Sequence, residues 1–83
     1  MKKDIGVSIT IGYILIETNP EQEHEVYNSL SHESRIMELK PIFYDHDYDL
    51  MAKIKSKNQD TLRSFVFKKI QPLNGVIDAE ILC

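Results

Sequence analysis

A stretch near the start of the chain, Ile9 to Thr18, constrains the fold most strongly. It is rich in β-branched and aromatic side chains, which is typical of a β-strand. Apolar residues occupy odd positions, such as Ile11 and Leu15, and also even positions, such as Ile14. A strand that is apolar on both faces needs a cover on both faces. Helices on one side and a second sheet from another subunit on the other would meet this need.

Two helices are predicted from start signals followed by apolar periodicity. The first begins at Asn19, a suitable N-cap, with Pro20 at the first helical position. Its buried stripe is predicted to be Val26, Tyr27 and Leu30. The second is capped by Asn58 and is stopped by Pro72 and Gly75, and its apolar face follows a helical period through Leu62, Phe65, Val66, Lys69 and Ile70.

Three further strands are predicted, over Ile36 to Phe43, Leu50 to Lys55 and Val76 to Cys83. Pro41 cannot donate a ladder hydrogen bond, which makes the second strand an edge strand. The order βαββαβ predicts an α+β, ferredoxin-like domain of the kind that forms dimeric α/β barrels. Right-handed crossovers would place both helices on one face of a four-stranded antiparallel sheet, with the first and third strands central. We expect residues 9–83 to form this single domain, after a tail of residues 1–8.

Size and charge limit the function. A core built from 83 residues is marginal alone, so oligomerisation is expected. The net charge of −3 disfavours direct nucleic-acid binding, which needs a basic face.

The single cysteine, Cys83, excludes a disulfide framework within the chain and indicates a reducing compartment. The apolar run at the start is too short and too polar to span a bilayer. A cytoplasmic protein without membrane contact is therefore expected.

The stretch FYDHDYDLM, residues 43–51, carries the most conspicuous polar pattern. Asp45, Asp47 and Asp49 match the first three ligand positions of a calcium loop. Such a loop also needs glycine at its sixth position and glutamate at its twelfth, where this chain has Leu50 and Ser56. The pattern therefore does not predict a calcium site. A polar hairpin connection explains it more simply, since aspartate favours turns.

Other chemistry in this stretch receives little support. His46 could bind a transition metal, but His24 and His32 lie two helical turns apart and form no chelating pair. No Ser/His/Asp arrangement or glycine-rich phosphate loop is present, and Cys83 has no partner base. We therefore expect no enzymatic activity, no cofactor and no metal site. A metal-binding regulatory protein that uses the Asp/His hairpin stays open as an alternative.

Three segments together resemble a known family: GYILIETNPEQEHEVYNSL, FYDHDYDLMAKI and LRSFVFKKIQPLNGVIDAEIL. They are similar to the C-terminal effector domain of the Lrp/AsnC (feast/famine) transcriptional regulators, an ACT-like unit called the RAM domain. The resemblance extends from about Ile11 to the end of the chain. About eight residues precede the first strand, so it implies a stand-alone effector domain without a DNA-binding domain of its own.

The resemblance also implies an assembly and a ligand. Members form homodimers through the sheet face, and often higher oligomers of dimers, with an amino acid or related metabolite at the inter-dimer interface. Full-length Lrp/AsnC-type regulators are implied as partners. A small dimeric α+β barrel enzyme of the monooxygenase type shares this topology, and it would need a roomy polar cavity between sheet and helices.

In the family, the hairpin before the third strand usually reads Gly-x-Tyr-Asp and helps to form the effector pocket. The matching residues are His46, Asp47, Tyr48 and Asp49, with histidine at the glycine position. The resemblance thus implies an effector-binding rim made of Asp45, His46, Asp47, Tyr48 and Asp49. Asp49 is the expected partner of a ligand ammonium group or of a neighbouring subunit.

Overall fold

The computed structural model describes residues 9–43 and 47–82. Within these ranges, no helix is both long and apolar enough to cross a membrane. The secondary structure follows the predicted order, with a short 3₁₀ helix before the first α-helix and a π-helical segment after the second. The elements are β1 (Thr10–Thr18), the 3₁₀ helix (Pro20–Gln22), α1 (Glu23–Leu30), β2 (Ile36–Pro41), β3 (Leu50–Ser56), α2 (Gln59–Phe65), the π-helical segment (Val66–Ile70) and β4 (Val76–Ile81).

The strands form one antiparallel sheet in the order β2-β3-β1-β4. The predicted α+β, ferredoxin-like arrangement is confirmed, with β1 and β3 central and the Pro41 strand at an edge. In the register, Ile14 of β1 lies opposite Ala52 of β3 on one side and Ile81 of β4 on the other. β2 ends at Pro41, two residues earlier than predicted, although the N–H of Ile42 still donates to the carbonyl of Asp49 at 2.8 Å.

The core fills the layer between the helices and one face of the sheet. Its members are buried apolar side chains from both central strands, both helices and β4: Ile14, Ile16, Val26, Leu30, Leu50, Ala52, Ile54, Leu62, Phe65, Val66, Ile70 and Ala79. The helix layer approaches the sheet closely at Gly12, where an added Cβ atom would lie 2.4 Å from Cδ2 of Leu62. The absence of a side chain at Gly12 therefore lets α2 pack directly against β1.

Both predicted helix caps are confirmed. The side chain of Asn19 accepts a hydrogen bond from the N–H of Glu21 at 3.2 Å, and that of Asn58 accepts one from the N–H of Thr61 at 2.8 Å. Such bonds satisfy N–H groups that have no partner within the helix. The predicted stripe of the first helix is wrong at Tyr27, which is 37% exposed, while Val26 and Leu30 are buried.

The sequence predicts where the second helix ends but not the π-helical winding of its last part. After α2, the chain winds as a π-helix from Val66 to Ile70, and the N–H of Gln71 donates to the carbonyl of Val66 at 2.9 Å. Val66 and Ile70 are buried as predicted, but Lys69 is exposed. The helix layer then returns to β4 through Gly75, whose φ of 100° suits only glycine.

No helix of the described residues lies over the second face of the sheet, which we call the open face. Alternate residues of the strands lie on it: Ile11, Tyr13, Leu15 and Glu17 of β1, Met51, Lys53 and Lys55 of β3, Glu38 and Lys40 of β2, and Asp78 and Glu80 of β4. Its apolar side chains belong to β1 and to Met51 of β3, its two edge strands are charged, and Lys53 adds a charge beside Tyr13. β1 is thus apolar on both faces, and the described residues cover only one of them.

Candidate functional site

The hairpin between β2 and β3 contains the residues that the sequence singled out. The structure describes Asp47, Tyr48 and Asp49, whereas Asp45 and His46 lie outside the described residues. The N–H of Asp49 donates to the carbonyl of Ile16 at 2.9 Å. The last part of the hairpin is therefore joined to β1 as well as to β2, at one end of the sheet.

Asp49 holds the end of β1 through its side chain. Its Oδ2 accepts hydrogen bonds from the main-chain N–H of Thr18 at 2.8 Å and from the Thr18 hydroxyl at 3.2 Å. Thr18 is only 3% exposed, so its N–H needs a partner within the protein. Within this chain, the Asp49 carboxylate thus fixes the position of the hairpin relative to β1.

Tyr48 joins the hairpin to the far edge of the sheet. Its phenolic O–H donates a hydrogen bond to Oε1 of Glu80 on β4. In the strand order, β1 separates β3 from β4, so this bond links the hairpin just before β3 to a strand that is not its neighbour. Together, Tyr48 and Asp49 attach the hairpin to both strands beyond it.

The surroundings of Tyr48 are strongly acidic. The hydrogen bond to Glu80, together with desolvation and the negative charges of Glu80, Asp78 and Asp47, raises the pKa of Tyr48 to about 12. The phenol therefore stays protonated and remains a donor at neutral pH. It can still accept a hydrogen bond through its oxygen.

Negative charge also accumulates within the sheet at this end. Glu17 of β1 lies directly opposite Asp78 of β4. Like charges at directly opposed positions are destabilising. Asp47, Asp78 and Glu80 act on the Tyr48 hydroxyl, and Glu17 lies opposite Asp78; we call these four carboxylates the acidic corner. A positively charged group bound there would relieve this repulsion.

The metal interpretation gains nothing from the described part of the chain. Among residues 9–43 and 47–82, no group of three histidine, cysteine, aspartate or glutamate side chains could hold a metal ion. A metal site that uses Asp45 and His46 would involve residues outside the described ranges, so it stays a prediction.

The monooxygenase-type alternative needs space between the sheet and the helices. Large side chains in that layer, including Ile14, Ile54 and Leu62, are fully buried. The buried side chains of this layer are apolar apart from Thr18 and Ser56. This packing offers no support for a polar reaction chamber.

The sequence pattern does not identify the partners of the hairpin. It places Glu80 only within the predicted last strand and Thr18 only at the end of the predicted first strand. A weak signal was available for Glu80, since strand alternation places it on the open face with Asp78. No local pattern identifies Thr18 as the partner of Asp49, because the two are 31 positions apart.

Comparisons with known proteins give matches in structure alone. No family model and no curated protein sequence matches this chain. The protein TTHA0845 from Thermus thermophilus superposes with a TM-score of 0.79 at 23% identity, over 90% of each chain. AsnC from E. coli superposes with a TM-score of 0.76 at 18% identity, over 99% of this chain and 57% of AsnC.

A transcriptional regulator from Neisseria meningitidis, NMB0573, was solved in complex with L-Met. It superposes with a TM-score of 0.79 at 11% identity, over 94% of this chain and 50% of the regulator. The chain thus spans about half the length of these two regulators and nearly all of the Thermus protein. At such identities the likeness establishes the fold. The resemblance to the Lrp/AsnC effector domain is therefore confirmed at the level of the fold.

Proposed function

We propose that this chain is a non-enzymatic regulatory domain that binds an amino acid or a related small metabolite and assembles into oligomers. It acts in the cytoplasm on transcriptional regulators of the Lrp/AsnC type. The observation that carries the proposal is the hairpin, in which Tyr48 and Asp49 keep the family pattern and are attached to β4 and β1. The fold shared with AsnC supports the same reading.

The open face is the proposed dimer interface. Tyr13 is 37% exposed there, while Ile11, Leu15 and Met51 are half-buried within the single chain. Covering such a surface would remove apolar area from water, which stabilises a complex by about 25 cal/mol for each Å². A second copy would supply the cover that the two-faced β1 needs. The charged edges would then form the rim of the interface.

The acidic corner is proposed to receive the ammonium group of the ligand. Asp47 and Glu80 supply negative charge, and Tyr48 supplies a hydroxyl beside them. The proposal keeps the hairpin residues Asp45, His46, Asp47, Tyr48 and Asp49 as the rim. Asp49 has a positioning role in it, because its carboxylate binds Thr18. A neighbouring dimer would complete the site on the side away from the sheet.

A panel of the standard amino acids tests the binding half of the proposal. Each is added to the purified protein, and the melting temperature and native mass spectrum are recorded. A ligand that binds the folded state raises its stability by mass action, so one amino acid should raise the melting temperature. Tyr48→Phe and Asp47→Asn should weaken this response, whereas Asp60→Asn, on α2, should not.

Two results would count against the proposal. If no amino acid changes either the melting temperature or the oligomer size, the sensing role is wrong. If a tagged form of the chain does not co-assemble with Lrp/AsnC-type regulators from the same cell, the regulatory partner is wrong. The two experiments are independent, so either half can fail alone.

A further inference from the structure

A groove of about 320 Å³ lies at the other end of β2 from the hairpin. One wall is the turn between α1 and β2, with Ser34 and Arg35. The other wall is α2 and the π-helical segment, with Ser64, Lys68 and Lys69. This volume is at the lower end of the range for small-molecule sites. The groove is therefore separate from the acidic corner and large enough for a small ligand.

Arg35 lies at one side of the groove, beside an aromatic ring. Its guanidinium carbon is 5.6 Å from the centre of the Phe65 ring, within the distance of a cation–π contact. Phe65 itself is 5% exposed and belongs to the core. The planar guanidinium of arginine presents its N–H groups as a fork, which suits bidentate binding to phosphate or carboxylate oxygens.

The two lysines of the groove belong to the segment with π-helical geometry. Lys68 and Lys69 both lie within the π-helical segment. π-Helical turns inside helices are rare and frequently occur at functional sites. In a regular α-helix, the side chains of two consecutive residues point about 100° apart. In the π-helical segment, the consecutive residues Lys68 and Lys69 both line the groove. The segment is an independent indication that this surface has a use.

The charge of the groove is positive on an acidic protein. Among the described residues that line the groove, Arg35, Lys68 and Lys69 are cationic and Glu33 alone is acidic. Among the described residues, the ion pairs are Lys40–Glu38 and Arg63–Asp60, and neither includes a cation of the groove. Three cations near one another repel, and an anion of charge about −2 would offset the excess. A phosphate monoester carries such a charge at neutral pH.

We propose that this groove binds a small phosphate monoester, with Arg35, Lys68 and Lys69 around the phosphate group and the hydroxyls of Ser34 and Ser64 as additional donors. The groove would give the domain a second ligand, of opposite charge to the ammonium group received at the acidic corner. Its small size favours a single phosphate group over the backbone of a nucleic acid, which needs an extended basic surface.

The test is an amide-resolved NMR titration of the full chain at constant ionic strength. The probes are inorganic phosphate and phenyl phosphate, compared with chloride, succinate and a short single-stranded DNA. The expected result is saturable shifts at Ser34, Arg35, Ser64 and Lys68 with both phosphates and none with chloride. Binding should strengthen as pH rises through about 6, where the phosphate loses its second proton.

Variants separate a built site from general attraction to positive charge. Arg35→Met and the double variant Lys68→Gln/Lys69→Gln should each weaken phosphate binding about tenfold or more, since each removes charge-assisted hydrogen bonds. Arg63→Gln is the control, because it removes one positive charge from the same helix layer, as a single lysine replacement would. It should leave phosphate binding unchanged. Glu33→Gln should strengthen it severalfold, because it removes the only carboxylate among the residues that line the groove.

Several results would overturn the proposal. Shifts that do not saturate, or that Arg63→Gln reduces as much as Arg35→Met does, would indicate general electrostatic attraction. Tighter binding of succinate would make the site a dicarboxylate site, and tighter binding of the DNA would make it a nucleic-acid surface. A Glu33→Gln variant that binds phosphate more weakly would show that the charge argument is wrong. None of these outcomes depends on the acidic corner or on amino-acid binding.

Discussion

The carboxylate of Asp49 accepts both the main-chain N–H and the hydroxyl of Thr18, and so joins the start of β3 to the end of β1. The same aspartate belongs to the hairpin pattern that identified the candidate site. Its contribution within one chain is structural, because it satisfies a buried donor. The neighbouring Tyr48 extends the attachment to β4. The hairpin of the candidate site is therefore held by side-chain hydrogen bonds to both β1 and β4.

Replacing Asp49 should destabilise the fold. Asp49→Ala leaves the buried N–H of Thr18 without its acceptor, which we expect to cost about 1–3 kcal/mol of unfolding free energy. Asp49→Asn retains a side-chain oxygen and should cost less. Urea denaturation measures both. Asp60→Asn, at an exposed position, is the control, and its effect should stay below about 1 kcal/mol. Equal stability of wild type and Asp49→Ala would contradict the role given to this carboxylate.

The phenol of Tyr48 should ionise at a higher pH than an ordinary tyrosine does. Its pKa in the folded state is about 12, above the ordinary value of 10.0, because the protonated phenol donates to Glu80. The native state thus binds this proton more tightly than the unfolded state. The resulting stabilisation is fully present below pH 10 and is lost as pH rises through about 12.

Phenolate absorbance, followed against pH, measures this ionisation. Tyr48→Phe should remove the last step of the titration, and Glu80→Gln should move that step to lower pH. Tyr27→Phe, on the exposed side of α1, serves as the comparison. A Glu80→Gln variant whose last step is unmoved would show that this hydrogen bond does not control the pKa.

Adding a methyl group at Gly12 should destabilise the packing of α2 on β1. The new Cβ would meet the buried Leu62 side chain at 2.4 Å, and such overpacking typically costs about 1–3 kcal/mol. Leu62→Ala alone should cost about 2–5 kcal/mol through the cavity it leaves. The double variant should cost less than the sum, because the added methyl group enters that cavity. Strict additivity in denaturation experiments would refute the contact.

A charge on the open face should separate the proposed dimer. Leu15→Glu places a carboxylate near the centre of the apolar surface, and burying it unpaired would cost about 3 kcal/mol or more, roughly a hundredfold in the dissociation constant. The variant should sediment as a folded monomer. Phe67→Glu, at a position that is 69% exposed in the helix layer, should leave the dimer intact. A wild-type protein that is monomeric at high concentration would rule out this interface.

Much of the architecture follows from local signals in the sequence. Asn19 and Asn58 predicted helix starts because a short polar side chain can reach the free N–H groups of a first turn. Pro41 predicted an edge strand because it lacks a donor. The apolar pattern of β1 predicted that both of its faces need a cover, which agrees with its central position in the sheet. Each of these depends on residues within one element, which is why sequence alone could find them.

The remaining features depend on contacts between distant elements. The bond from Tyr48 to Glu80 passes over β1, and no periodicity in β3 or β4 indicates it. Tyr27 fits an apolar helical stripe, yet it lies at the margin of the stripe and is exposed. The π-helical segment has no sequence pattern of its own. For the candidate site, the sequence could name the hairpin but not what Tyr48 and Asp49 bind within the chain.

The strand order has a consequence for biosynthesis. β1 precedes β3 and β4 in the chain but lies between them in the sheet, and Ile14 of β1 pairs with Ile81 of β4. During translation, both edges of this apolar strand therefore stay unpaired until β3 and β4 have been synthesised. Pairing between strands so distant in sequence also slows folding. Until the sheet is complete, such unpaired edges are a template for pairing with another copy of the chain.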